Sequence, residues 1–255
     1  MYQLNHVKVT RECRDILNIP SLSIPSDKLT VIMGHNGSGK STMVDLLAGQ
    51  TQPSAGTIDF NGNSLTGYTS RELAREIAFL PQHLPQASGL SVRELVKLGR
   101  FPWRGTFGRM KAEDIQFIEA AMAATQIGQY ADHPAEKLSG GERQQAWIAM
   151  LLAQQSPLLV LDEPTSALDV QHQYHVMDML QSLNREQEKG VIVILHDINL
   201  ILRYADHIVA LKEGNVVYSG DTRTLTDEAS LSTLFDTNIR LLDHPSKTTK
   251  VAVVC

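Results

Sequence analysis

Three glycines, a lysine and a hydroxyl stand in the spacing G-x-x-x-x-G-K-[ST] in Gly34-His-Asn-Gly-Ser-Gly-Lys-Ser41. Glycines let a backbone wrap closely around phosphate groups with its N–H donors turned inward. A helix starting at the end of such a loop adds a dipole that favours anions. Lys40 is spaced to reach β and γ phosphates, and the Ser41 hydroxyl to hold Mg²⁺. Gly34, His35, Asn36, Gly37, Ser38, Gly39, Lys40, Ser41 and Thr42 together are the expected cradle for a nucleoside triphosphate. The ordinary alternative is a glycine-rich turn that fits the pattern by chance, and the flanking runs Leu29–Met33 and Ser41–Ala48 weigh against it.

Four further places carry groups suited to the same chemistry. Leu158-Leu-Val-Leu-Asp-Glu163 is an apolar strand pattern ending in two carboxylates that point differently. Asp162 is then free to bind Mg²⁺ directly or through water, and Glu163 to act as general base on an attacking water. The same residues could simply cap the next element. His196 ends the apolar run Val191–Leu195 and could reach a γ-phosphate, although a structural histidine would read the same way. Gln82, after Phe79-Leu-Pro81, can coordinate Mg²⁺ or water without adding charge. Leu138-Ser-Gly-Gly-Glu142 opens a helix, with Ser139 as cap and Gly140 and Gly141 exposing backbone N–H groups. This is a second anion-binding helix start, or an ordinary capped helix.

The elements that must hold these groups follow from periodicity. Strands are expected at Tyr2–Thr10, Ser21–Ile24, Gly56–Phe60, Ile77–Leu80, Leu158–Leu161, Val191–Leu195, His207–Lys212 and Val216–Ser219. Helices are expected at Val170–Arg185 and Ile198–Tyr204. Residues 91–153 read as helical, interrupted by Gly99-Arg-Phe-Pro-Trp-Arg-Gly105. Alternating strands and helices imply an α/β fold with a mainly parallel sheet, and ligands bind beyond the carboxyl ends of such strands. The tail after Asp243 is polar until its last, strand-like residues.

Composition sets outer bounds. With 255 residues, 42% hydrophobic and 20% charged, the chain is ordinary for a globular domain with or without an inserted lobe. The net charge of -5 gives no electrostatic case for nucleic acid. Cys13 and Cys255 make no disulfide framework and suit a reducing cytosol. The N-terminus has no secretory pattern, and no apolar run approaches the ~20 residues that span a bilayer. If the protein works at a membrane, a partner must supply the spanning part. His172 and His175 share a helix face with no further ligand near in sequence, which favours a solvated face over a metal site.

Taken in order, the phosphate loop, Gln82, Leu138–Glu142, Asp162-Glu163, Ser166-Ala-Leu-Asp169 and His196 resemble an ATP-binding-cassette (ABC) ATPase over nearly the whole chain. The resemblance implies a phosphate-loop NTPase with an antiparallel N-terminal β part. A single domain would span 1–243, with a core of 1–90 and 154–220, a helical subdomain of about 91–153 and a tail of 244–255. It also implies a head-to-tail homodimer sandwiching two ATP molecules with Mg²⁺. Ser139, Gly140 and Gly141 of one copy would then meet the γ-phosphate held by the partner's Lys40, with Asp169 alongside. Glu163, His196 and Gln82 are the implied catalytic residues, and Ser41, Gln82 and Asp162 the implied metal contacts.

Arg100–Gly105, Glu142–Met150 and His196-Asp-Ile-Asn199 are further similar to the ATPase subunits of iron–siderophore importers, the ferric hydroxamate type above all. That implies separate integral-membrane permease subunits, docked at a groove near Gln82. It also implies an indirect link to a substrate-binding protein and a peripheral place on the cytoplasmic face of the inner membrane. Haem, cobalamin or another siderophore is the alternative cargo, and a soluble cassette outside transport a remoter one. Two departures stand out. Glu142 replaces the family's usual glutamine, and Arg11 occupies the place of the aromatic that stacks on adenine. A guanidinium can stack on a base as well.

Overall fold

Two long antiparallel strands open the chain, β1 (Tyr2–Arg11) and β2 (Arg14–Ile24). The computed structural model describes residues 1–12, 14–105, 108–224, 228–235, 237–243 and 250–255; Cys13 and the tail residues Pro245 to Thr249 lie outside them. In β1 the buried positions are Tyr2 and Leu4, then Val7 and Val9. The step of three between Leu4 and Val7 is taken up by a register shift between Asn5 and Lys8 against the strand beside it, with His6 at φ 51°. Such a bulge lets one strand keep one face toward the core despite imperfect alternation.

The chain continues through β3 (Leu29–Gly34), α1 (Lys40–Leu47), β4 (Ala55–Phe60), β5 (Asn63–Ser64), α2 (Ser70–Glu76) and β6 (Ile77–Leu80). Helices α3 (Val92–Leu98), α4 (Phe101–Arg104), α5 (Ala112–Ala124) and α6 (Gly140–Ala153) then form a helical lobe. The remainder is β7 (Leu158–Leu161), α7 (Val170–Gln187), β8 (Gly190–Ile194), α8 (Ile198–Tyr204), β9 (His207–Lys212), β10 (Asn215–Asp221), α9 (Glu228–Phe235), β11 (Ile239–Asp243) and β12 (Lys250–Val254).

The central sheet has the order β10-β9-β3-β8-β7-β6. Its β9-β3, β3-β8, β8-β7 and β7-β6 pairs are parallel, and β10 closes one edge as an antiparallel hairpin with β9. The N-terminal sheet, β2-β1-β4-β5, is antiparallel throughout. Alternation divides the side chains of each central strand between two cores. In β8, Ile192 and Ile194 face the N-terminal sheet and α1 with Tyr2, Leu17, Met43 and Phe60. Val191 and Val193 face the other way, with Leu180 of α7 and Ile148 of α6. Full burial of such side chains contributes about 1.5–3 kcal/mol each, so the central sheet is held from both sides and its strand ends are fixed.

The fold is the α/β architecture that the motif order implies, with an antiparallel N-terminal part and a helical lobe. Three local features differ from the sequence reading. Strand β2 begins well before Ser21; Pro20 is tolerated inside it because β2 is an edge strand. Helix α2 had no counterpart in the periodicity; its Thr69–Glu72 capping box fixes its start. The expected division at residue 243 falls inside a hairpin, because β12 pairs with β11 from Asp243–Lys250 to Ile239–Val254.

Candidate active site

Parallel strands end on one edge, and that edge collects the chemistry. Leu80, Leu161 and Ile194 are the last residues of β6, β7 and β8. Two residues beyond each stands Gln82, Glu163 or His196. Strand β3 ends in the phosphate-loop segment beside them. Arg11, Ile16, Asn36, Gly37, Lys40, Ser41, Gln82, Glu163 and His196 are among the residues lining one cavity of about 670 Å³.

The loop is shaped by its glycines. Gly39 precedes α1 at φ 98°, and a Cβ there would sit 2.6 Å from Cδ2 of Leu17, so both conformation and space require glycine. Nζ of Lys40 donates to the carbonyls of Gly34 at 2.8 Å and His35 at 2.9 Å. Lys40 is buried, and burial lowers its pKa, against the opposing fields of Glu163 and Asp162. A cation fixed at the start of α1, behind a glycine-shaped loop, suits phosphate oxygens.

Glu163 lies at φ 52°, a left-handed conformation uncommon outside glycine. Nε2 of His196 is 2.6 Å from its Oε1, and Nε2 of Gln82 donates to its Oε2 at 2.9 Å. Burial pushes the Glu163 carboxyl up, but the hydrogen bond and charge of His196, with Gln82 and Lys40, outweigh it and leave the pKa below the ordinary glutamate value. Asp162 differs. It is buried, its pKa is raised by that burial against a hydrogen bond from Ser41, and its Oδ1 has no hydrogen-bond partner among the described residues. A buried orphan carboxylate oxygen beside a serine hydroxyl is a donor set that fits a hard divalent cation. Gln82 is turned to Glu163 rather than to this pair.

The second helix start stands apart. Ser139, Gly141 and Asp169 line a cavity of about 480 Å³ with Gln126, Gln129, Tyr130, Glu142 and His172. None of its lining residues also lines the phosphate-loop cavity. Ser139 caps α6, accepting from the Glu142 backbone N–H, while Oε2 of Glu142 accepts from the Ser139 N–H at 2.8 Å. As an acceptor in the cap, the Ser139 hydroxyl keeps its own proton to donate. Glu142 also accepts from the Tyr130 hydroxyl, the largest of the hydrogen bonds that hold its pKa low. Asp169 caps α7 and binds Nδ1 of His172 at 2.8 Å. His172 binds Asp169 and His175 lies 3.3 Å from the Ala124 carbonyl, both contacts at the exposed surface of the helix. Among the described residues, no group of three or more His, Cys, Asp or Glu side chains could hold a metal ion.

Sequence reasoning had no signal for Tyr130, Gln126 and Gln129, which lie between recognisable motifs and reach the Ser139 cavity only through the packing of the lobe. Arg11, in contrast, does line the phosphate-loop cavity.

A phosphate loop, a carboxylate at the adjoining strand end and a separate capped helix start define a nucleotide-hydrolysing cassette. The chain belongs to the ABC transporter family, whose model matches residues 17–166, and is an ATPase of that type. It is 38% identical over 232 residues to the iron(3+)-hydroxamate import ATP-binding protein of Bacillus subtilis, covering 91% of this chain and 86% of that one. It is 37% identical to the ferric enterobactin transport ATP-binding protein of Escherichia coli, over 91% of this chain and 86% of that one. A dimeric ATP-binding cassette in a post-hydrolysis state with ADP and Pi superimposes with a TM-score of 0.79 at 30% identity, over 88% of this chain and 99% of that chain.

Proposed function

We propose that this chain is the ATP-hydrolysing subunit that energises uptake of a ferric siderophore, hydroxamate type, through a separate membrane permease. The observation that carries it is the split arrangement: Lys40 and Glu163 line one cavity, and Ser139 heads a helix on another. Two copies arranged head to tail would bring each Ser139 cavity over the other copy's phosphate loop. The cargo rests on similarity to siderophore-import subunits.

In this reading Lys40 and the loop N–H groups bind the β and γ phosphates of ATP. Glu163 takes a proton from water as the water oxygen bonds to the γ-phosphorus and the bond to the β-bridging oxygen breaks, leaving ADP and phosphate. His196 holds Glu163 in place and faces the γ-phosphate. Ser139, Gly140 and Gly141 donate to the same phosphate from the second copy, with Asp169 at the dimer seam. Ser41 and Asp162 would hold Mg²⁺, which neutralises phosphate charge when bound; Gln82 would turn toward it from Glu163. Arg11 would stack on the base.

Among the described residues no helix is long and apolar enough to cross a membrane, so the reading places the chain peripherally on the cytoplasmic face, against permease subunits. A cavity of about 1000 Å³ is lined by Phe79 and Pro81 next to Gln82, by Ala74 and Ile77, and by Gln154 at the end of α6. It supports docking of a permease segment there. A substrate-binding protein would act at one remove.

The test is uptake of labelled ferric hydroxamate under iron limitation in the native host, with and without this chain. Loss of uptake, restored by the wild type but not by Glu163→Gln, supports both cargo and mechanism. Unchanged uptake, with ATP hydrolysis intact, rejects the hydroxamate cargo and turns the search to haem, cobalamin and other siderophores.

A further inference from the structure

Helix α6 carries Ser139 at one end and terminates in a charged joint at the other. The last carbonyls of a helix have no intrahelical donor. Here those of Ala153 and Gln154 accept from Nη1 of Arg100 at 2.9 and 3.3 Å, and Gln154 also accepts from Nε1 of Trp103 at 2.6 Å. Arg100 is buried, and its charge is met at 2.8 Å by Asp114, which is fully buried. The second oxygen of Asp114 takes Arg104 at 2.5 Å and the Lys111 N–H at 2.8 Å.

The joint reaches the core through α2. Nε of Arg71 and of Arg75 both donate to the Pro102 carbonyl, at 2.8 and 3.0 Å. The guanidinium of Arg75 lies 5.2 Å from the Trp103 ring centre; Arg100 lies 5.6 Å from the same ring and 4.8 Å from Phe117. The Gln154 side chain completes the tie by donating to the carbonyls of Ala74 and Ile77. Ala74, Ile77 and Gln154 all line the cavity of about 1000 Å³ beside Gln82. One short segment, α4, is therefore pinned at once to α2 and to the end of α6. The 14 residues of α6 make a rod about 21 Å long, so a shift at the joint moves Ser139.

We propose that Arg100 and Trp103 are positioning residues for ATP hydrolysis: they fix the tilt of α6, and so the place of Ser139 over the second copy's phosphate, and couple it to the cavity beside α2. This rests on the two-copy reading above. A buried ion cluster is a costly way merely to stabilise a fold, since apolar packing of the same volume does as well or better. Its planar forks, however, fix direction as apolar contacts do not.

Trp103→Phe keeps an aromatic ring and removes the N–H donor; Arg100→Lys keeps the charge and removes the fork. Each is compared with the wild type in binding of trinitrophenyl-ATP, in kcat for Mg²⁺-dependent ATP hydrolysis and in Tm. Nucleotide affinity should stay within about twofold, Tm within about 2 °C for the surface-lying Trp103→Phe, and kcat should fall about fivefold, the effect of losing one hydrogen bond of ordinary worth. An unchanged kcat in Trp103→Phe, or a loss that only follows the folded fraction or the affinity, overturns the proposal and leaves the joint a stabilising contact. A wild type that binds the nucleotide but does not hydrolyse ATP, even at protein concentrations where two copies associate, overturns the function on which it rests.

Discussion

Gln82 donates its side-chain N–H to Oε2 of Glu163 at 2.9 Å, across the ends of two adjacent parallel strands. His196 occupies the other oxygen at 2.6 Å. Each carboxylate oxygen keeps a second lone pair, so Glu163 can accept a proton from water with both contacts in place, while Gln82 and His196 set its aim and basicity. Gln82→Ala removes one of the contacts that lower the Glu163 pKa, while burial continues to raise it. The acid limb of the kcat–pH profile should therefore move to higher pH. Transport should fall more than nucleotide binding. A pH–rate profile superimposable on that of the wild type refutes this role for the contact.

Glu163→Gln keeps the hydrogen-bonding shape and removes the proton acceptor. Hydrolysis should fall about 10²–10⁴-fold, the usual contribution of general base catalysis, while ATP still binds and holds two copies together. Steady-state hydrolysis and sedimentation in ATP measure the two effects. Full turnover in this variant means the base lies elsewhere.

Lys40→Ala should weaken nucleotide binding about tenfold or more, because hydrogen bonds to a charged group are each worth about 1.5–3 kcal/mol. It also removes the Nζ contacts to the Gly34 and His35 carbonyls. Titration with a fluorescent nucleotide checks it, and wild-type affinity would exclude Lys40 from the phosphate site.

Asp114 links the helical lobe to stability in acid. Burial pushes its carboxyl up, but Arg104, the Lys111 N–H and Arg100 outweigh that and bring it from 3.8 to about 2. A carboxyl depressed on folding stabilises fully above its unfolded pKa and loses that contribution as pH falls through the folded one. The effect should thus appear between about pH 4 and pH 2. Asp114→Asn should lose that acid dependence, and leaving buried Arg100 without its anion should cost about 3–5 kcal/mol at neutral pH. Urea unfolding across pH measures both, and parallel acid slopes in the two proteins would contradict the assignment.

Asn199, in the helix that follows His196, pairs its amide with Ala252: Oδ1 accepts from the Ala252 N–H at 2.8 Å and Nδ2 donates to its carbonyl at 3.3 Å. Asn199→Ala should speed amide exchange at Ala252 about fivefold to tenfold, for a loss of about 1 kcal/mol or slightly more per bond. Unchanged protection would show that the hairpin is held by its apolar contacts alone.

The parts of the fold that sequence exposes are those where local chemistry and packing agree. Leu158–Leu161 and His207–Lys212 are apolar on both faces and bounded by turn or polar residues, and they are strands over those very residues. The end positions Gln82, Glu163 and His196 followed from the strands, although their mutual contacts depend on strand order, which periodicity does not encode. In β1 the bulge at His6 disguises a regular strand as a loose one. Pro20 hides most of β2, because only the edge position makes it harmless. Nothing in the sequence marks Arg100 and Asp114 as a buried pair, because only the packing of the lobe brings them together.

The division of the chemistry between two cavities without a common lining residue also bears on kinetic order. On the proposed function a lone chain holds two complementary half-sites and no whole one, so turnover per chain in dilute solution should rise with protein concentration rather than stay constant. Anchoring two copies on one permease replaces that bimolecular encounter with a fixed effective concentration. ATP would then be spent where a transport path is present, and the unassembled subunit would stay nearly idle without any inhibitor.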